Sequence, residues 1–160
     1  MRVALVSPKW NKRANDYPPL GLAYLAAVLE DDGHEVQVFD LGLEPDTPLE
    51  DSAARVRAFD PQVVGITAMT SVYHSALEAA TLLKAYLGRP IIFGGPHPTV
   101  YPHRVLSEAP VIDYVVRAEG EKKRCASWCG HWTTAPATWV EFRVLPTGCG
   151  GRLSPILTGR

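Results

Sequence analysis

The chain has 160 residues, enough to bury one substantial core, and 46% hydrophobic against 21% charged residues excludes a disordered chain. A formal net charge of −1 offers no electrostatic footprint for nucleic acid, and no apolar run is long enough to span a membrane. The N-terminal MRVALVS lacks the basic start of a leader, so a cytoplasmic protein with no membrane or nucleic-acid partner is expected.

Residues 2–7 (RVALVS) form a β-branched apolar run ending at Ser7-Pro8, which predicts a buried strand. From Pro19 to Glu30 the apolar positions Leu20, Leu22, Ala23, Leu25, Ala26, Ala27 and Leu29 predict a well-buried helix, and Gly33 stops it as a C-cap would. EVQVFD (35–40) alternates as a second strand, and Pro48 to Phe59 reads as a second helix. PQVVGITAM supplies the third strand. Ser71 to Leu87 is then a long amphipathic helix with Thr70/Ser71 as its N-cap. PIIFGG gives the fourth strand, Tyr101 to Glu108 a short helix, and IDYVV the fifth strand.

Strand and helix alternate with short links, so the expected fold is α/β: a doubly wound, flavodoxin-like or Rossmann-like five-stranded parallel sheet with helices on both faces. Ligands in such sheets bind beyond the carboxyl ends of the strands. Those ends read Ser7-Pro8-Lys9-Trp10-Asn11, with Pro18-Pro19-Leu20-Gly21 entering the first helix; Thr67-Ala68-Met69-Thr70-Ser71; Gly94-Gly95-Pro96-His97-Pro98-Thr99; and Arg117-Ala118-Glu119-Gly120-Glu121. Small residues let a bulky ligand approach the backbone, and hydroxyls with free N–H groups at helix starts suit a phosphate. No G-x-G-x-x-G follows the first strand and no G-x-x-x-x-G-K-[ST] occurs, which excludes the dinucleotide and P-loop patterns.

The segments YPPLGLAYLAAVLEDDGHEV, VVGITAMTSVYHSALEAATLLKA, IIFGGPHPTVYP and VVRAEGE, in that order and spacing, resemble the cobalamin-binding domain of class B, vitamin-B12-dependent radical-SAM proteins. Each motif is weak alone; the four together are specific. The resemblance implies cobalamin as cofactor, its nucleotide tail in the cleft at the carboxyl edge and the corrin ring across the top. Thr67 and Met69 then line the tail pocket, and Gly94, Gly95 and Pro96 contact tail and corrin. Pro8, Tyr17, Pro19, Gly21, Thr70, His97, Pro98, Glu119 and Gly120 complete the expected cofactor-binding set. Methionine-synthase-like domains carry D-x-H-x-x-G after the first strand, with a histidine on cobalt. Here the stretch is SPKWNKRAND, which implies base-off cobalamin with no histidine from this loop. Intact members use the cofactor for methyl transfer or other radical chemistry.

Plainer readings accompany several of these residues. Pro18-Pro19 also suits a helix start, and Gly94-Gly95 a tight strand exit. His97 is open to two roles, a cobalt ligand or a backbone-bonded histidine in a turn. His34 and His103 read as surface residues and His74 as a solvated helix position; Glu119 and Glu121 suit either the cleft's mouth or a cap. The rival from another class is a flavodoxin-like signalling or interaction domain that binds no corrinoid. A receiver domain of that kind needs an acidic cluster after strand one and an aspartate after strand three, where Ser7-Pro8 and Thr67-Ala68 stand. A small free-standing enzyme built on His97 or Glu119 lacks a base–nucleophile pair.

The composition breaks after residue 121. Residues 1–121 hold 10 Lys/Arg and 16 Asp/Glu, whereas residues 122–160 hold 6 Lys/Arg and the single acid Glu141, with all three cysteines and three of four tryptophans. The division expected is a cobalamin domain over 1–121 and an unrelated tail over 122–160. Cys125 and Cys129 with His131 lack a second pair for zinc. No cysteine follows at the spacing of a radical-SAM C-x-x-x-C-x-x-C, so no iron–sulfur cluster or SAM is expected in this chain. Cys and Trp codons both begin with TG, and shifting the frame by one base turns each into Leu, Val or Met. Cys125, Trp128, Cys129 and Trp132 then become a helical apolar stripe at i, i+3, i+4, i+7, the mark of a frameshift near 121–124.

Overall fold

The computed structural model describes residues 1–10, 18–43, 45–117 and 144–145. Strand β1 (Arg2–Ser7) leads to helix α1 (Leu20–Asp31), β2 (Glu35–Asp40), α2 (Leu49–Phe59), β3 (Val63–Thr67), a 3₁₀ turn (Thr70–Val72), α3 (Tyr73–Leu87) and β4 (Ile91–Gly94). Two short helices follow, α4 (Pro96–Val100) and α5 (Pro102–Glu108), then β5 (Tyr114–Val116) and a two-residue β6 (Val144–Leu145). All pairings are parallel and the strand order is β2-β1-β3-β4-β5-β6. The five expected strands form the doubly wound sheet. The short β6 is an addition that gives β5 a partner on its outer edge, where unpaired N–H and C=O groups would otherwise remain.

Pleating sorts the strand residues between two cores. Ala4, Val6, Val64, Ile66, Ile91, Phe93 and Val115 face the larger one, closed by α2, α3 and α5 through Val56, Ala76, Ala80, Leu83 and Val105. Val3, Leu5 and Val63 face the smaller one, covered by Leu22 and Leu29 of α1. Phe93, fully buried, is among the largest contributors to the first core; burying such a side chain is worth roughly 1.5–3 kcal/mol.

The end of α1 is a Schellman cap, with the Gly33 N–H bonded to Glu30 O (2.9 Å) and the His34 N–H to Leu29 O (3.0 Å), as the position of Gly33 suggested. Three expectations need correction. Helix α1 is not well buried: only Leu22 and Leu29 are buried, while Leu20 is 73% exposed and Ala23 and Ala27 are exposed. The helix meets the sheet over β1 and β2 on one side alone, so its apolar composition overstates its burial. Thr70 and Ser71 do not cap α3. They lie in the 3₁₀ turn, Val72 precedes the helix, and no side chain caps it. His34 is half-buried and not a surface residue, because the cap folds it back onto α1.

Candidate functional site: the carboxyl edge of the sheet

The carboxyl ends of β1, β3 and β4 lie side by side, with Val6 paired to Ile66 and Thr67 to Gly94. Strand β1 ends on buried Ser7 and Pro8, and the Ser7 carbonyl accepts the Leu41 N–H (3.0 Å). Lys9 does not point free charge into the cleft. Its Nζ donates to Pro45 O (3.0 Å) and to the Thr47 carbonyl, pinning the segment after β1 to the one after β2.

The turns after β3 and β4 are joined through the main chain. The Ala68 N–H donates to Gly94 O (2.8 Å), and the His97 N–H donates to Ala68 O (3.0 Å). Gly95 makes this approach possible. Its φ of 97° and ψ of −174° lie where only glycine is at ease, and a Cβ there would meet Thr67 Oγ1 at 2.9 Å, Ala68 O at 3.0 Å and Ala68 N at 3.1 Å. Gly94 differs: a Cβ on it would meet nothing within 4 Å, so the surface beside it is open space at the sheet edge. Pro96 opens α4 at its first turn, and Thr99 closes the turn by donating from Oγ1 to Gly95 O (2.8 Å). From the far side, Arg117 at the end of β5 donates from Nε to Thr99 O (3.3 Å).

His97 packs against two tyrosines. Its ring stacks on Tyr73 (centroids 4.1 Å apart, planes at 28°) and tilts against Tyr101 (5.4 Å), while Nδ1 shares a hydrogen bond with Thr70 Oγ1 (3.2 Å). Burial holds its pKa below the usual 6.5, and the charges of Arg104 and His74 push the same way. Burial raises the Tyr73 pKa above 10.0, helped by Glu108 and opposed by Arg104. Tyr73 in turn meets Phe93 edge-on at 6.4 Å, so this aromatic group stands on the face that carries α3 and α5.

The fold gathers Thr67, Met69, Thr70, Gly94, Gly95, Pro96, His97 and Pro98 at the adjacent ends of β3 and β4. Pro8 closes β1, next to β3, and is buried, as is Pro98. Pro19 and Gly21 open α1, where the Pro19 carbonyl accepts the N–H groups of Leu22 and Ala23. Tyr17, Glu119 and Gly120 lie outside the described residues, as does the tail apart from Val144 and Leu145. His97 occupies a short helix and not a plain turn, although its main chain is bonded as the plainer reading had it. Sequence reasoning passed over Gly65, whose missing side chain leaves room beside Leu5 on the α1 face; a Cβ would lie 3.1 Å from Leu5 Cδ2. A lone glycine inside the strand VVGIT was the signal. The pinning role of Lys9 had none, because its partners are carbonyls.

An open parallel sheet with glycine-built turns at its carboxyl edge is a doubly wound fold of the class that takes ligands beyond its strand ends. The model of the B12 binding domain matches residues 10–126. The chain belongs to that family, whose ligand is cobalamin. It is 44% identical over 105 residues to an uncharacterized methyltransferase, PH0819, of Pyrococcus horikoshii, covering 65% of this chain and 22% of that protein. It is 31% identical over 127 residues to the anaerobic magnesium-protoporphyrin IX monomethyl ester cyclase of Rubrivivax gelatinosus, covering 76% of this chain and 23% of the cyclase. Among solved structures it is similar to the radical S-adenosylmethionine methyltransferase TsrM of Kitasatospora setae with cobalamin and a [4Fe-4S] cluster bound. That match has a TM-score of 0.69 at 26% identity, over 82% of this chain and 26% of TsrM. The chain thus spans about a quarter of the length of these relatives. Among the described residues no helix is long and apolar enough to cross a membrane.

Proposed function

We propose that residues 1–121 are the cobalamin-holding module of a B12-dependent radical-SAM enzyme. In this reading the nucleotide tail lies against the joined ends of β3 and β4, lined by Thr67 and Met69, while Gly94, Gly95 and Pro96 contact the tail and the corrin. The observation that carries it is the pair of glycines. Gly95 lets the β4 turn close onto Thr67 and Ala68, while Gly94 leaves open space beside the strand ends. Thr70, His97, Pro98, Pro8, Tyr17, Pro19, Gly21, Glu119 and Gly120 complete the proposed cofactor-binding set. Cobalamin supplies alkyl-transfer or radical chemistry at cobalt when bound; the chain's part is to hold and orient it.

The cofactor is held base-off, without a histidine from the segment after β1. Residues 8–18, the segment after β1, contain no histidine. The test is reconstitution of the full chain with hydroxocobalamin, desalting, and reduction to the cob(II) state for electron paramagnetic resonance. The expected result is retained cobalamin without nitrogen coupling on cobalt. A folded protein that emerges colourless overturns the module reading; a nitrogen-coupled spectrum overturns the base-off assignment alone.

The tail over 122–160 is assigned to a shifted reading frame on the strength of its composition and its Cys/Trp stripe. Sequencing the locus tests this. A single-base change that reopens a frame into C-x-x-x-C-x-x-C is the expected finding, and its absence refutes the assignment.

A further inference from the structure

We propose that His97 is a positioning residue that locks the β3 turn onto the β4 turn, so that the cleft is formed before cobalamin arrives. The inference rests on the cobalamin reading above but assigns His97 a different task from contact with the cofactor. The two turns come from segments nearly thirty residues apart. Their main chains are joined only as far as Ala68, through its N–H to Gly94 O and its carbonyl to the His97 N–H. Past that point the chain runs extended through Met69 (φ −96°, ψ 158°) into the 3₁₀ turn, and the bridge back to α4 is the His97 imidazole on Thr70 Oγ1 at 3.2 Å. Tyr73, stacked at 4.1 Å, and Tyr101, tilted at 5.4 Å, both pack against the ring whose Nδ1 meets the hydroxyl.

The charges around the ring favour its neutral form. Burial disfavours a charged ring first, and Arg104 on α5, ion-paired to Glu108 at 2.9 Å, adds a positive charge that opposes another in the stack; His74 lies nearby on α3. Acidification introduces a cation where burial and Arg104 disfavour one, which loosens the stack that holds the ring.

The experiment uses the full chain, titrated with hydroxocobalamin by visible absorption at pH 8 and pH 5, with amide hydrogen exchange of the cofactor-free protein alongside. His97→Phe keeps the aromatic stack and removes the hydrogen bond; exposed Thr70→Val removes it from the other side. Losing a neutral hydrogen bond of this kind should weaken binding about threefold to tenfold in each variant. The double variant should lose no more than one single variant, and His97→Asn, whose amide can replace Nδ1, should recover most of the affinity. Wild-type affinity should fall from pH 8 to pH 5 by more than that of His97→Phe, whose remaining pH dependence belongs to the titration of the cofactor itself. Without cofactor, His97→Phe should exchange faster over residues 67–73. Additive losses, unchanged affinity, or a pH dependence as large in His97→Phe as in wild type overturn the proposal. If wild-type protein takes up no cobalamin, the module reading fails, and the exchange arm still decides whether the lock exists.

Discussion

Exchanging Gly95 for alanine tests the construction of the cleft most directly. The native backbone there, φ 97° and ψ −174°, lies in a region that costs a residue with a side chain roughly 1–3 kcal/mol. The new methyl would also sit 2.9 Å from Thr67 Oγ1 and 3.0 and 3.1 Å from the backbone O and N of Ala68. Ala68 is fully buried and fixed by bonds to Gly94 and His97, so it has little room to yield. Overpacking of this kind adds about 1–3 kcal/mol. The combined loss of about 2–6 kcal/mol is a large part of the roughly 5–15 kcal/mol that holds a domain folded. Urea unfolding followed by circular dichroism should show the midpoint falling by about 1 M or more, since the slope for small proteins is about 1–3 kcal/mol per molar. Gly94→Ala is the matched control, because a Cβ there meets nothing within 4 Å and its φ is not positive. Its stability should stay within about 0.5 kcal/mol of wild type. Its cobalamin affinity should nevertheless drop, because the methyl occupies the space assigned to the cofactor. Equal midpoints for Gly95→Ala and wild type would refute the argument for the turn; unchanged cobalamin affinity in Gly94→Ala would refute the placement of the cofactor.

On α1, Leu22→Ala should cost about 2–5 kcal/mol and Leu20→Lys less than about 0.5 kcal/mol, measured by urea unfolding, because Leu22 is 8% and Leu20 73% exposed. At the end of α2, Asp60 holds a left-handed φ of 49° and pairs with Arg2 and Arg89 across exposed surface. Asp60→Gly should therefore be close to neutral in thermal unfolding, relief of the backbone offsetting weak ion pairs, whereas β-branched Asp60→Val should lose about 1–2 kcal/mol or more. The pKa of His97 is lower in the folded chain than in the unfolded one, where it is near 6.5. The unfolded state therefore binds the proton more readily as the pH falls below that value. Wild-type stability relative to His97→Phe should be greatest above pH 6.5 and shrink towards pH 5 in denaturant titrations; a difference that grows on acidification would reverse the assigned sign.

Local pattern was enough for the frame of this protein. The unbroken apolar runs of β1 and β3 are legible as strands buried on both faces, and such strands in alternation with helices leave a parallel, doubly wound sheet as the economical solution. That arrangement in turn directs attention to the strand ends, where the Thr67–Thr70 and Gly94–Pro98 segments stand. Gly33 is legible as a cap because a helix end is a local event.

What tertiary structure decided depends on neighbours distant in sequence. Leu20, Ala23 and Ala27 are as apolar as Leu22 and Leu29, and only the placement of α1 over β1 and β2 leaves them exposed. Helix α4 is masked in the sequence by Pro96 and Pro98, yet proline at the first turn of a helix sacrifices no hydrogen bond, and the main chain around it is held by Ala68 and Gly95. Thr70 reads as a helix cap by type, but the hydroxyl bonds the imidazole of His97, twenty-seven residues on. A side chain's own sequence neighbourhood specifies what it can bond. Which of those bonds forms is settled only when the sheet brings β3 and β4 side by side.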